Sequence, residues 1–255
     1  MILTFLGTGT SQGVPLIGCQ CSVCKSDDVR DKRTRTSILL EIDGKTIVVD
    51  AGPDFRQQLL REDICKLDAV LLTHEHKDHL AGLDDVRAFN FLQKKAMPVY
   101  ASTRVQQAIR REFAYIFDAS AYPGIPKIDL RTIDNTPFVA EGIAVMPIEV
   151  MHHTLPVLGF RFRNVTYITD ANYISPSEKE KIKGSDVLVL NALRNEKHIS
   201  HFTLMEALAL IEELKPRQAF LLHISHQLGL HAEVEKLLPL NVRLAYDGLK
   251  LHIED

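Results

Sequence analysis

Apolar residues along this chain come in short runs with polar punctuation between them, the spacing of buried strands rather than of long amphipathic helices. The runs "TIVVDAG" (46–52), "AVLLTH" (69–74), "IAVMPIEVMHH" (143–153), "VTYITDA" (165–171), "VLVLNA" (187–192) and "AFLLHISH" (219–226) have the length and β-branched content of buried strands. "ILTFLG" near the start reads as a further strand, and "RLAYDGLKLHI" near the end as a closing hairpin that turns at Asp247 and Gly248. Helical patterns separate several of the strands, from Leu80 to about Lys94, from Thr103 to about Phe117, and along "TLMEALALIEEL" from Thr203. Thr203 and Glu206 have capping-box spacing, which sets His201 just ahead of a helix N-terminus. Strands mixed with helices in this way predict an α/β protein.

The same pattern locates candidate chemistry. Asp50, His74, His153, Asp170 and His223 each stand at or just past the C-terminal end of a predicted strand, where the loops of α/β folds assemble binding sites. For Asp50, followed by Ala51 and Gly52, an ordinary turn is the competing reading. The densest stretch is "THEHKDH", with His74, His76, Asp78 and His79. Imidazoles and a carboxylate with no nearby thiolate suit a catalytic site for zinc, manganese or iron. His74 and His76, two apart in an extended segment, can face one side; Asp78 and His79 are adjacent and point differently, as ligands of a second ion would. The zincin motif is excluded, because its second histidine is replaced by Asp78.

Composition adds bounds. A chain of 255 residues, 45% of them hydrophobic, can bury its core as one domain over 1–255. The formal net charge is -3, from 30 Lys plus Arg against 33 Asp plus Glu, without a long run of either sign. No general nucleic-acid field follows from that balance, and the one tight basic cluster, Arg30, Lys32, Arg33 and Arg35, reads as a solvated stretch. The start lacks the pattern of a signal peptide and no window approaches the roughly 18 apolar residues of a membrane span, so the expectation is a cytoplasmic protein with no membrane partner.

Cys19, Cys21 and Cys24 stand in C-x-C-x2-C spacing, which in such a compartment favours a structural zinc over disulfides, held in a loop of about 18–27. A redox pair with a resolving thiol, or plain surface thiols, are the alternatives. Cys65 reads as a small packed residue, which leaves His226, three residues beyond His223, as the candidate fourth ligand. Gly7, Gly9 and Gly13 have G-x-G-x3-G spacing with no helix directly after them, so a dinucleotide-binding loop is excluded and a turn after the first strand is expected.

These motifs together carry a resemblance. "THEHKDH", "VVDAG", "TDA" and "LLHISH" resemble the metallo-β-lactamase superfamily, over nearly the whole chain. The resemblance implies a four-layer αββα sandwich with a one- or two-metal site between the tops of its sheets. It also implies the ligand sets: His74, His76 and His153 for one metal, Asp78, His79 and His223 for the second, and Asp170 bridging them. His152 is an alternative to His153, which "HTLPVLGF" favours by resembling the family's histidine ahead of a Gly-aromatic strand. The cysteines with "HISHQ" narrow the likeness to the PhnP-like branch, the phosphoribosyl cyclic phosphodiesterases, whose three cysteines and second histidine of that segment bind structural zinc. That branch also carries a histidine before its penultimate helix that acts on the substrate phosphate; it aligns with His201, and His198 competes with it.

The implied function is a phosphodiesterase that hydrolyses a small cyclic or diester phosphate through a hydroxide bridging two divalent ions, manganese or zinc with iron as the other option. Asp78 would serve this catalysis as a ligand, and His201 would donate a proton to the leaving oxygen or hold the phosphate. A homodimer is implied by resemblance alone. Other readings on the same fold are an RNA 3'-end nuclease, a lactonase, a thioesterase, or a metal-binding protein without turnover. The nuclease would need a basic docking arm, and the chain has no long glycine- and lysine-rich insertion.

Overall fold

The protein is described by a computed structural model covering residues 1–118 and 122–254. The first half of the chain contributes strands β1 (Ile2–Gly7), β2 (Ser37–Ile42), β3 (Lys45–Val49), β4 (Ala69–Leu71), β5 (Met97–Ala101) and β6 (Ile128–Thr132), with helices α1 (Ser22–Lys25), α2 (Phe55–Arg61), α3 (Lys77–Leu80), α4 (Arg87–Gln93) and α5 (Thr103–Glu112) between them. The second half contributes β7 (Phe138–Ala140), β8 (Ile143–His152), β9 (Leu155–Phe162), β10 (Val165–Tyr167), β11 (Tyr173–Ile174), β12 (Val187–Asn191), β13 (Gln218–Leu222) and β14 (Val242–Leu244), with α6 (Pro176–Ile182), α7 (Leu204–Leu214) and α8 (His231–Val234). A last strand, β15 (Lys250–His252), returns to the first sheet. Among the described residues the first sheet runs β15-β1-β2-β3-β4-β5-β6 and the second β11-β8-β9-β10-β12-β13-β14, with β7 paired to β8.

Alternation along the strands explains why the apolar runs are nearly continuous. Val49, Leu71, Val189 and Phe220 point into a core shared by the two sheets, where Leu3, Phe5, Phe160 and Tyr167 also lie. Their neighbours point outward under helices. Val48 and Val70 meet Phe55 and Leu59 of α2 and Ile109 of α5, whereas Leu188 and Leu221 meet Leu204, Leu210 and Ile211 of α7. Successive strand side chains take opposite faces, so a strand covered on both sides must be apolar throughout. The result is the expected αββα sandwich.

Strands β3 to β6 are parallel to one another, as are β10, β12, β13 and β14. Parallel strands place their C-terminal ends on one rim, and the chain leaves that rim through polar residues in left-handed backbone: Asp50 (φ 67), Asp170 (φ 55) and His223 (φ 55). Asp and His occupy that region more readily than bulkier residues, and non-glycine residues held there concentrate at functional sites.

Three expected elements differ, the smallest departure being the helix from Thr103, which ends at Glu112 and is followed by a 3-10 turn at Ala114–Phe117. The helix expected from Leu80 is broken into α3, a 3-10 turn at Leu83–Val86, and α4. Gly82 N–H donates to Ala51 O, and a Cβ at Gly82 would lie 2.0 Å from Gly52 O, so the chain there is pressed against the loop after β3 and cannot continue as a regular helix. The closing hairpin is absent because β14 and β15 belong to different sheets. Asp247 instead staples that crossing, its carboxylate accepting from the backbone N–H and hydroxyl of both Thr8 and Thr34. The capping box stands as read: Thr203 accepts from Glu206 N–H, and the Glu206 side chain accepts from Thr203 N–H. No helix among the described residues is long and apolar enough to cross a membrane.

Candidate metal centres

The rim gathers two sets of donor atoms, each set lying within 4.8 Å of one another: His74, His76, His152 and Asp170, then Asp78, His79, Asp170 and His223. Asp170 belongs to both. Its Oδ2 lies 3.8 Å from His74 Nε2, and its Oδ1 lies 3.4 Å from His79 Nε2 and 3.1 Å from His223 Nδ1. One carboxylate thus presents one oxygen to each set.

The ring nitrogens that face away from the centre are tied down. His79 Nδ1 donates to Asp50 Oδ2 at 2.7 Å, and Asp50 Oδ1 accepts from Thr73 N–H at 2.9 Å. The Thr73 hydroxyl donates to Asp50 and lies 2.9 Å from His74 Nδ1. His152 Nδ1 donates to the Ser200 carbonyl at 2.8 Å. Partners of this kind set tautomer and ring direction in metal-ligating histidines. Asp50 is therefore a buried orienting group, a role that neither the turn nor the binding-site reading of the sequence captured.

The opposite nitrogens supply the test of fit. Nε2 of His74, of His79 and of His223 is buried without a hydrogen-bond partner. Buried polar atoms are rarely left unpaired; the orphaned Nε2 atoms of His74 and His79 lie 3.8 Å and 3.4 Å from the Asp170 carboxylate, to which His223 presents Nδ1, and these imidazoles fit a donor set for divalent ions such as zinc or manganese.

Charge within the cluster follows its geometry. Burial alone would raise Asp170, yet the imidazoles of His223, His79 and His74 outweigh it and hold the carboxyl well below the usual range. Burial opposes charge on His79, but Asp170, Asp78 and Asp50 surround it and raise it well above an ordinary histidine. Burial, reinforced by His79, lowers His74 well below that value.

One expected ligand is corrected. His152, not His153, joins the cluster. His152 ends β8 on the same face as Ile148 and Val150 and pairs in register with Leu155. His153 begins the turn, takes φ 58, is exposed, and donates its backbone N–H to Asn172 Oδ1. Strand alternation and a tight turn decide between the neighbours.

His201 lies beside the cluster, its ring centroid 4.6 Å from that of His152 and 4.8 Å from that of His223. His198 stands further out, 5.1 Å from His201. Burial, then the charge of His223, push His201 down to about 2, so it is a neutral imidazole near neutral pH, with Nδ1 buried and unpartnered. His76 is exposed and marks the mouth of the site.

The second candidate centre brings Cys19, Cys21, Cys24 and His226 together. His226 Nδ1 lies 3.3 Å from Cys21 Sγ and 3.6 Å from Cys19 Sγ. Cys21 caps α1, and the Cys24 N–H directed at its sulfur, followed by His226, lowers its thiol to about 6. Burial raises Cys24 to about 11. Cys65 lies apart and exposed, contrary to the packed role expected for it. The basic cluster is not a solvated stretch either. Arg33 is buried, donating to Thr8 Oγ1 and Ala245 O, while Arg35 pairs with Asp54.

Several known proteins are similar to this chain. A family model described as a beta-lactamase superfamily domain matches residues 45–224. An octanoyltransferase of Porphyromonas gingivalis is 43% identical over 253 residues, covering 98% of this chain and 51% of its own length. The chain thus spans about half of that relative. The crystal structure of a diphosphatase from the PhnP family superposes with a TM-score of 0.92 at 39% identity, covering 98% of this chain and 96% of the other. Zinc-bound PqqB from Methylobacterium extorquens superposes with a TM-score of 0.79 at 21% identity over 99% of this chain and all of that one, a likeness of fold alone.

Proposed function

Because this chain belongs to the metallo-β-lactamase superfamily, we propose that it is a metal-dependent hydrolase of a small phosphate ester, cleaving a cyclic or open phosphodiester. The observation that carries the reading is the gathering of the imidazoles of His74, His79 and His223, each with a buried, unpartnered Nε2, around the shared carboxylate of Asp170, with His201 alongside. His74, His76 and His152 would hold one divalent ion, Asp78, His79 and His223 the other, with Asp170 between them. When bound, such ions supply Lewis acidity towards a phosphoryl oxygen and lower the pKa of a water molecule towards neutrality.

The chain's own residues do the rest. Asp50, Thr73 and the Ser200 carbonyl keep the imidazoles aimed at the centre. Neutral His201 donates a hydrogen bond to the phosphoryl group and takes on a proton only once an anion beside it raises its basicity. His198, nearer the mouth, meets the more distant part of the substrate. Cys19, Cys21, Cys24 and His226 would hold a structural zinc.

The likeness to a PhnP-family diphosphatase supports this reading, since a diphosphate linkage and a phosphodiester both present a doubly substituted phosphorus. A second reading, hydrolysis of an acyl ester or thioester, draws on the octanoyltransferase relative, although the match involves only half of that protein. Phosphorus NMR of manganese-loaded protein with a phosphorylated ribose cyclic phosphate, and with a nucleoside diphosphate ester, tests the proposal. Ring opening of the cyclic phosphate by wild type, strongly reduced in His201→Ala, is the expected result, and anhydride cleavage without ring opening would change the substrate class to a diphosphate. Turnover of an octanoyl thioester with none of either phosphate would replace the proposal by the second reading.

A further inference from the structure

Of the histidines with an orphaned Nε2, His79 is oriented by a carboxylate and His74 by Thr73, whereas His223 faces Thr36. Thr36 is buried immediately before β2. Its Oγ1 lies 2.8 Å from Gly9 O and 3.1 Å from His223 Nδ1. A carbonyl oxygen only accepts, so the single hydroxyl proton of Thr36 is directed to Gly9 O, and what the hydroxyl offers the imidazole is a lone pair. His223 then carries its proton on Nδ1. Asp170 Oδ1, 3.1 Å from the same nitrogen, also calls for a donor there.

We propose that Thr36 is a positioning residue for the second metal set: accepting from His223 Nδ1–H while donating to Gly9 O, it holds the tautomer and ring direction that leave Nε2 to a divalent ion. The inference rests on the reading that Asp78, His79, Asp170 and His223 hold such an ion. His223 needs an external hold because its backbone leaves β13 in left-handed geometry, so the strand does not by itself set the ring. The hold is continuous with the N-terminal loop. Ile224 N–H donates to Thr8 O, Thr10 N–H donates to Ile224 O, and Gly9 bridges both Arg35 and Ile224. A Cβ at Gly9 would lie 2.9 Å from Arg33 O, so the loop sits close enough to fix the carbonyl that Thr36 needs. The glycine-containing stretch after β1 thereby acts on the metal site through one hydroxyl.

The test compares wild type, Thr36→Val, which keeps the shape and loses the hydroxyl, and Thr36→Ser, which restores it. Zinc affinity of the rim sites is measured on the full chain by chelator competition, and the protonated nitrogen of His223 is read by nitrogen-15 NMR of the zinc-loaded protein. The expected result is a proton on Nδ1 in wild type, an ion held about 10- to 100-fold more weakly in Thr36→Val, and recovery in Thr36→Ser. Wild-type affinity in Thr36→Val, a proton on Nε2 in wild type, or an equal loss in both variants would overturn the inference. A wild type that binds one ion or none at the rim would overturn the two-ion reading itself, an outcome distinct from any difference among the variants.

Discussion

The two candidate metal centres are built in opposite ways. The rim cluster draws on strand ends of both sheets, His74, His152, Asp170 and His223, and surrounds them with Asp50, Thr73 and the Ser200 carbonyl. The cysteine centre draws three of its four residues from one short loop and borrows only His226 from afar. The first has an exposed histidine at its mouth and two further histidines beside it, as a site that admits substrate requires. The second is a set of three sulfurs and one imidazole, a donor set of the kind found in structural zinc sites.

Substitutions can break that contrast. The largest effect is expected at Asp170 and His152. Asp170→Ala and His152→Ala should lose rim metal, measured by elemental analysis, and lower kcat/KM about a thousandfold or more, since a bound metal contributes several kcal/mol to the transition state. His153→Ala should leave both metal content and rate near wild type. Equal damage from His153→Ala would restore the family-pattern assignment against the geometric one.

Next comes His201→Ala, with kcat lowered about a hundredfold and rim metal retained. Loss of metal in that variant would make His201 part of the ligand shell rather than of substrate handling. Asp50→Asn should weaken the ion held by His79 about 10- to 100-fold in chelator competition, because a neutral amide supports the His79 Nδ1 proton less well than a carboxylate does. Smallest for catalysis is Cys24→Ser, expected to lose one metal per chain and lower Tm by about 2–4 °C for each kcal/mol of lost stability, with rim metal and rate near wild type. A fall in rim metal in Cys24→Ser would show that the two centres are not independent.

Much of the fold was legible because strands covered on both faces must be apolar at every position, and those runs stand out in the sequence. The segments that supply the two candidate donor clusters were legible for a related reason: "THEHKDH" and "GCQCSVC" concentrate donor types that neither a core nor a turn requires. Less was visible where a choice depended on direction. His152 and His153 are neighbours of identical chemistry, and only the pleat of β8 and its turn separate them. Asp50, Thr73 and Thr36 are ordinary polar residues in sequence, and their roles exist only through partners brought from elsewhere in the chain. The broken helix after Leu80 and the missing final hairpin failed for the same reason, since Gly82 answers to Gly52 and Asp247 to Thr8 and Thr34.

By itself, then, the sequence determined the α/β class, the places where strands end, and the supply of imidazole, carboxylate and thiolate, because periodicity and donor chemistry are local properties of the chain. The tertiary structure alone decided which histidine of an adjacent pair turns inward, that Asp170 faces both donor sets at once, and which hydroxyls and carboxylates hold each ring in place. Those are properties of distance and direction between residues up to 187 positions apart, as Thr36 and His223 are, and no local pattern encodes them.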